Sequence, residues 1–135
     1  MSSACVKWTG GKQFIGIDST QHSVVLSTPD EGTGMKPSDL LLVAVAACTA
    51  VDVVEILAKK KLALYGLEIS ACGEQDSEPP WTFRKIELTY RLTGHGLTDK
   101  AVEQAIRLSE EKYCSVAATL RPTAEITFNY EIVNN

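Results

Sequence analysis

Four cysteines carry the most specific chemistry that this sequence offers. They are Cys5, Cys48, Cys72 and Cys114, and no two of them have the C-x-x-C spacing of thioredoxin-like, zinc-ribbon or haem-attachment sites. In a reducing compartment most cysteines stay free, and the disulfides that do form are usually transient and catalytic. If two of these cysteines act together, the fold must bring them together.

Cys48 and Cys114 have the more informative positions. Cys48 lies inside an apolar helix, where a free cysteine also serves as a small core residue. Asp52 and Glu55 on its face would oppose a thiolate unless they point elsewhere or bind a cation. Cys114 follows one predicted helix and opens another, where backbone N–H groups and the helix dipole lower a thiol pKa. A cysteine that fills a helix junction is the alternative for Cys114, and the residues alone leave both alternatives open.

The other two cysteines, Cys5 and Cys72, lie in predicted strands without an activating neighbour. We expect both to be structural. The histidines, His22 and His95, are predicted to be exposed and lack the spacing of metal ligands, so the sequence predicts no metal site.

A long helix must position Cys48. It is predicted over residues 38–61, because Pro37 suits a first helical turn and no Gly or Pro follows within this stretch. Residues 40–48 are apolar on every face, which is typical of a helix buried in a core.

The remaining elements are short strands and two further helices. The alternation of apolar residues and the turn formers predict an N-terminal β-meander over residues 6–27 and an antiparallel strand pair over residues 62–73 and 83–92. Thr98 is the predicted N-cap of an amphipathic helix that runs to Lys112. A short helix over residues 114–120 and a last strand over residues 124–133 complete a single α+β domain, residues 1–135, with a mainly antiparallel sheet.

Composition excludes several function classes. A formal net charge of −4 gives no electrostatic footprint for nucleic acid. The longest apolar run, residues 40–51, ends at Asp52 after about a dozen residues, fewer than a membrane span needs. The N-terminus lacks the pattern of a secretory signal. We therefore expect a cytoplasmic protein that binds neither nucleic acid nor membrane.

The segment Lys-Pro-Ser-Asp-Leu-Leu-Leu-Val-Ala-Val-Ala-Ala-Cys-Thr-Ala, residues 36–50, resembles the helix that carries the first active-site cysteine in the OsmC/Ohr family of organic hydroperoxide resistance proteins. The family cysteine stands eleven positions after a proline, as Cys48 does after Pro37. The second family cysteine follows a helix and precedes a short helix and the last strand, as Cys114 does. The order of elements fits over essentially the whole chain, and the run after Cys48 looks like a less characterised OsmC-like branch.

The resemblance implies an intertwined homodimer whose sheets wrap around two long central helices. It implies that Cys48 is the peroxidatic thiolate, which attacks an organic hydroperoxide and becomes a sulfenic acid, and that Cys114 resolves it as a disulfide. An external dithiol would restore both thiols, so no cofactor is expected. Apolar walls from Leu41 and Val45 would favour organic hydroperoxides over hydrogen peroxide.

Two positions depart from the family pattern. Family members activate the thiol with an N-terminal Arg and with a Glu just after the helix proline, whereas here no Arg precedes Arg84 and Ser38 follows Pro37. Asp39 is the candidate substitute for the Glu, and Lys7 or Lys12 for the Arg, although a lysine lacks the bidentate fork of a guanidinium. These departures favour an alternative function, a non-catalytic OsmC-like dimer that binds a small lipophilic ligand in its interface pocket. The two retained cysteines favour the peroxidase.

Overall fold

The computed structural model describes the whole chain, Met1–Asn135. Contacts divide it into two compact units, Met1–Leu41 and Leu42–Asn135. Each unit holds one three-stranded sheet, and the three helices complete the α+β class that the sequence predicts. The expectation of one domain over residues 1–135 stays a prediction.

The first unit contains the predicted β-meander. Its strands are β1 (Ala4–Gly10), β2 (Gln13–Asp18) and β3 (Ser23–Ser27), each antiparallel to the next. Gly10 and Gly11 form the first turn with φ of 116° and 54°, values at which a side chain would be strained. The turn joins the first two strands, and the three strands confirm the predicted β-meander.

The long helix α1 spans Pro37–Lys59 and confirms the prediction to within two residues. Asp39 in its first turn and Lys59 in its last turn complement the helix dipole. The helix ends where Lys61 takes a left-handed φ of 59° and the Leu62 N–H donates to the Leu57 carbonyl at 3.1 Å.

Helix α1 has two different long faces in the single chain. The buried face is fully enclosed and consists of Val45, Thr49, Val53 and Leu57. The open face is exposed and consists of Val43, Ala47, Val51 and Val54. The expectation that the helix is buried on every face is therefore wrong for one chain, because the second unit covers only one side of it.

The same helix is long and apolar enough to cross a membrane by length and composition. Its most apolar 18-residue window has a mean hydropathy of 2.4, so a single Asp52 does not interrupt it as the sequence analysis expected. Only 22% of that window is buried within the chain. The core helix of a globular protein passes the same test, so this property does not decide the helix's environment.

The second unit is built on a mixed sheet with the strand order β4 (Ala63–Gln75), β5 (Phe83–His95) and β6 (Glu125–Asn134). The pair β4 and β5 is antiparallel, as predicted, and β6 runs parallel to β5. Alternate side chains of β5 are fully buried and pack in the same core as the buried face of α1: Ile86, Leu88, Tyr90 and Leu92.

A helical crossover makes the parallel pairing of β6 possible. It begins with α2 (Asp99–Leu108), whose predicted N-cap is confirmed because the Thr98 hydroxyl accepts from the Ala101 N–H at 3.2 Å. It ends with α3 (Ser115–Leu120), which Cys114 opens as predicted.

Between these helices the chain forms a π-helical turn, Ser109–Tyr113, where the sequence predicted continuous α-helix to Lys112. The Cys114 N–H donates to the Ser109 carbonyl at 2.7 Å, five residues back instead of four. Ser109 and Glu110 are both buried, and their side chains bind partners on other elements, Asp52 and Tyr90. These tertiary contacts, which local sequence does not encode, hold the wider turn in place.

Candidate active site

The two cysteines that the sequence singled out meet in the second unit. Cys114 is only 2% exposed and belongs to the core, and the partly buried Cys48 packs against that core from α1. Both thiols are free, and the Cys48 side chain is close enough to that of Cys114 to raise its pKa. Helix α1 and the start of α3 therefore bring together two cysteines that are distant in sequence.

The surroundings of Cys114 disfavour its thiolate. Burial and, to a smaller extent, the neighbouring Cys48 thiol raise its pKa to about 11, against a lowering contribution from the Ala117 N–H. That N–H donates to the Cys114 Sγ at 3.3 Å, so the predicted contact with a helix start exists. The expectation of a lowered pKa is nevertheless wrong, because desolvation outweighs this one hydrogen bond.

Neither cation near Cys114 in sequence pairs with its sulfur. The Lys112 Nζ lies over the Tyr113 ring, 5.4 Å from its centre, and the Arg121 guanidinium donates to the Glu110 carbonyl oxygen. Cys114 is thus held as a neutral thiol, whereas Cys48 is the more accessible member of the pair.

Two buried polar side chains that sequence reasoning missed, Tyr90 and Glu110, are hydrogen-bonded to each other; Tyr90 belongs to the same core as Cys114. The Tyr90 hydroxyl, fully buried on β5, donates to the Glu110 Oε1 at 3.3 Å, and Glu110 is 6% exposed. Burial raises the pKa of Tyr90, and it also raises the pKa of Glu110 to about 7, against the lowering effects of Tyr90 and Arg121. Thr49, the residue after Cys48, lowers the pKa of Tyr90, and Cys114 raises it, so both lie in its neighbourhood.

A sequence signal for Glu110 does exist. Val102, Ile106 and Glu110 recur every four residues, which places a carboxyl on the apolar stripe of the second helix. A carboxyl on such a stripe is a candidate for a perturbed pKa.

The two carboxylates that follow Cys48 on α1, Asp52 and Glu55, have different surroundings. The Asp52 Oδ2 accepts from the Ser109 Oγ at 2.8 Å, which directs it toward the π-helical turn. Glu55 is exposed and lines a surface pocket with Lys59 and Lys60. Asp52 therefore points elsewhere, as the sequence analysis required for a thiolate at Cys48.

The other predicted site residues have separate positions. Lys12 pairs with Asp30, with 3.0 Å between Nζ and Oδ2, and Lys7 lies exposed on β1. Ser38 and Asp39 occupy the first turn of α1. These four residues belong to the first unit, and their roles at the thiol stay predictions.

The two predicted substrate contacts differ in exposure. Leu41 is exposed in one chain, whereas Val45 is fully buried. Core packing is therefore the role that the structure gives Val45, and a contact with substrate at either position stays a prediction. Cys5 and Cys72 are exposed on β1 and β4, apart from the thiol pair.

An apolar groove borders the open face of α1. Its volume is about 280 Å³, and its lining is Val43, Ala46, Ala47, Ala50, Leu67 and Ile69. Ala47, in the lining, is the residue before Cys48 in α1.

Fold and thiol pair together define a class of protein, and comparison with known families agrees. Residues 29–129 match the family described as OsmC-like protein, and the chain belongs to this family.

Two relatives extend this likeness along the chain. Protein YhfA of Escherichia coli K12 is 37% identical over 130 residues, which cover 96% of this chain and 97% of that protein. The crystal structure of a hypothetical protein from Aquifex aeolicus VF5 has a TM-score of 0.84 at 28% identity and covers 98% of this chain and 97% of that one.

A more distant solved structure shares the fold alone. It is the organic hydroperoxide resistance protein OhrB of Bacillus subtilis, with a TM-score of 0.65 at 15% identity over 97% of this chain and 98% of that one.

Proposed function

We propose that this protein is a thiol-dependent peroxidase that reduces organic hydroperoxides to alcohols. The observation that carries the proposal is that a partly buried thiol, Cys48, packs against the same core as a buried one, Cys114, and interacts with it. The family supports it, since a member of the same fold class, the Bacillus subtilis protein, is named an organic hydroperoxide resistance protein.

The first step occurs at Cys48, because its sulfur is the more accessible of the two. The Cys48 thiolate attacks the distal oxygen of R–OOH, the O–O bond breaks, and the released alkoxide takes a proton to become the alcohol. Cys48 is left as a sulfenic acid. The peroxide is reduced by two electrons, and the sulfur is oxidised by two.

The second step joins the two sulfurs. The Cys114 sulfur gives up its proton and attacks the sulfenic sulfur of Cys48, the S–O bond breaks, and water leaves. An external dithiol then reduces the disulfide by exchange and is itself oxidised to a disulfide. No bound cofactor takes part in either step.

An organic substrate fits the apolar groove better than hydrogen peroxide does. The groove lining contains no polar side chain and includes Ala47, the residue before Cys48. An organic R group gains free energy by leaving water for such a surface, whereas hydrogen peroxide has no apolar part to bury.

We also propose that the working form is a homodimer in the cytoplasm. The open face of α1 is an apolar stripe on a helix otherwise packed in a core, and a second copy of the chain is the occupant that the family resemblance implies. Four free cysteines suit a reducing compartment, which also supplies the dithiol.

The activity is tested by steady-state consumption of cumene hydroperoxide with dithiothreitol as the reductant. The wild type should consume the peroxide, Cys48→Ser should not, and the control Cys72→Ser, which removes an exposed cysteine outside the pair, should match the wild type. Equal rates for all three proteins would refute the proposal.

The alternative, a non-catalytic dimer that binds a lipophilic ligand, rests on the same apolar groove. It predicts saturable binding of a small apolar fluorophore together with an unchanged count of free thiols after exposure to peroxide. A loss of two thiols per chain with one equivalent of peroxide would exclude a purely binding role.

A further inference from the structure

A hydrogen bond between two side chains joins the elements that carry Cys48 and Cys114. Asp52 lies one helical turn after Cys48, on the same face of α1. Its Oδ2 accepts from the Ser109 Oγ at 2.8 Å, and Ser109 is fully buried. Helix α1 is thereby tied, one turn from Cys48, to the first residue of the π-helical turn.

The other end of the same turn is Cys114. The Ser109 carbonyl oxygen accepts from the Cys114 N–H at 2.7 Å, which closes the turn. The Cys114 backbone then leaves the helix with φ of −79° and ψ of 105°. Ser109 is therefore bonded through its side chain to the helix of one cysteine and through its backbone to the other cysteine.

The bond between Asp52 and Ser109 is of a strong kind. A hydroxyl that donates to a carboxylate forms a charge-assisted hydrogen bond, which is stronger than a bond between neutral groups. Asp52 takes part in none of the three salt bridges of the chain, so no cation draws its carboxylate away. Because Ser109 is enclosed by protein, loss of Asp52 would leave its hydroxyl without this partner at a site that water reaches poorly.

We propose that Asp52 and Ser109 are positioning residues that hold Cys114 against Cys48 for disulfide formation. Their role in turnover rests on the proposed function. In its second step the Cys114 sulfur forms a bond to the sulfenic sulfur of Cys48, the S–O bond breaks, and the hydroxide leaves with the Cys114 proton as water. The first step, at Cys48, does not use the contact between Asp52 and Ser109.

The equilibrium between the dithiol and the disulfide is the first quantity that the contact should change. Ser109→Ala should lower the equilibrium constant for disulfide formation by about 10- to 100-fold, because the two thiols lose the arrangement that favours their union. This change corresponds to a reduction potential that is higher by about 30 to 60 mV. Equilibration with glutathione redox buffers, followed by mass spectrometry of the thiol pair, measures the potential and requires no peroxide.

Three further variants separate this role from a general loss of packing. Asp52→Ala should shift the potential as Ser109→Ala does, and the double variant should shift it no further, because all three remove one hydrogen bond. Asp52→Asn keeps an oxygen that accepts from Ser109 and should recover most of the loss. The control Glu55→Ala, which removes an exposed carboxylate from α1, should match the wild type.

The rate of disulfide closure is the second quantity. Rapid quenching and mass spectrometry after one equivalent of cumene hydroperoxide measure the two steps separately. Ser109→Ala should form the Cys48 sulfenic acid at the wild-type rate and close the disulfide about 10 to 100 times more slowly. In excess peroxide its longer-lived sulfenic acid should be oxidised further to sulfinic acid.

A wild-type potential in Ser109→Ala would overturn this positioning role, even if the variant is less stable. A double variant whose shift equals the sum of the two single shifts would also overturn it. Absence of any sulfenic acid on Cys48 in Cys114→Ser would instead refute the proposed function, whereas the measured potentials would still test the positioning of the two cysteines.

Discussion

The two faces of α1 differ in burial: one is enclosed by its own chain and the other is exposed. The buried face (Val45, Thr49, Val53 and Leu57) packs with β5 in the core of its own chain. The open face (Val43, Ala47, Val51 and Val54) is apolar and uncovered. Cys48 lies between the two faces, with Cys114 on one side and the apolar groove on the other. The difference shows that one chain holds both thiols of the pair, and that it leaves the apolar open face of α1 uncovered.

The largest expected effect is on the rate of peroxide consumption when Cys48, between the two faces, is replaced. Cys48→Ser removes the only accessible sulfur of the pair, so peroxide consumption should fall by about 1,000-fold or more, to the uncatalysed rate. Cys5→Ser, at an exposed strand position, should leave the rate unchanged. An active Cys48→Ser protein would mean that the working sulfur lies elsewhere.

The buried face should carry the stability of the single chain. Leu57→Ala leaves a cavity in a fully buried site and should lower the free energy of unfolding by about 2 to 5 kcal/mol, as measured by urea denaturation. The loss should be the same at all protein concentrations. Val54→Ala, on the open face, should change the stability by an amount that depends on protein concentration. If the change in stability is independent of concentration for both variants, the assignment of the two faces is wrong.

The open face should carry the assembly. Val51→Asp places a charge in the middle of the exposed apolar stripe and should weaken dimerisation by about 100-fold or more, because the interface would bury an unpaired carboxylate. Sedimentation equilibrium measures this change. Lys100→Asp, an exposed change on α2, should leave the dimer intact, and a Val51→Asp protein that still sediments as a dimer would exclude this face as the interface.

The smallest expected effect is on the free energy of unfolding when Glu110, the buried partner of Tyr90, is replaced. The pKa of Glu110 is about 7 in the fold and 4.5 ordinarily, so the native state binds more protons than the unfolded state between these values. Its contribution to stability is full below pH 4.5 and is lost as the pH rises toward 7. Glu110→Gln should therefore be more stable than the wild type by about 1 to 3 kcal/mol at pH 8, with no gain at pH 4. A gain of equal size at both pH values would contradict the raised pKa.

The same comparison explains what the sequence could predict. The apolar run and Pro37 predict α1, Thr98 predicts the start of α2, and the resemblance to the OsmC/Ohr family identified the two cysteines that meet. These features depend on residues close together in sequence or on a pattern that relatives share.

The features that sequence reasoning missed depend on contacts between distant elements. The π-helical turn follows from Ser109 binding Asp52 and Glu110 binding Tyr90. The one-sided burial of α1 follows from the core, against which only one of its faces packs. The pKa of Cys114 was expected to fall because its helix start was visible in the sequence, whereas the burial that outweighs it was not.

The most direct test of the proposed mechanism is peptide mapping by mass spectrometry after one equivalent of cumene hydroperoxide is added to the fully reduced protein. A disulfide between Cys48 and Cys114 should form, with Cys5 and Cys72 still reduced, and a sulfenic acid should be trapped on Cys48 in the Cys114→Ser variant. Two reduced thiols at Cys48 and Cys114 after this treatment would contradict it.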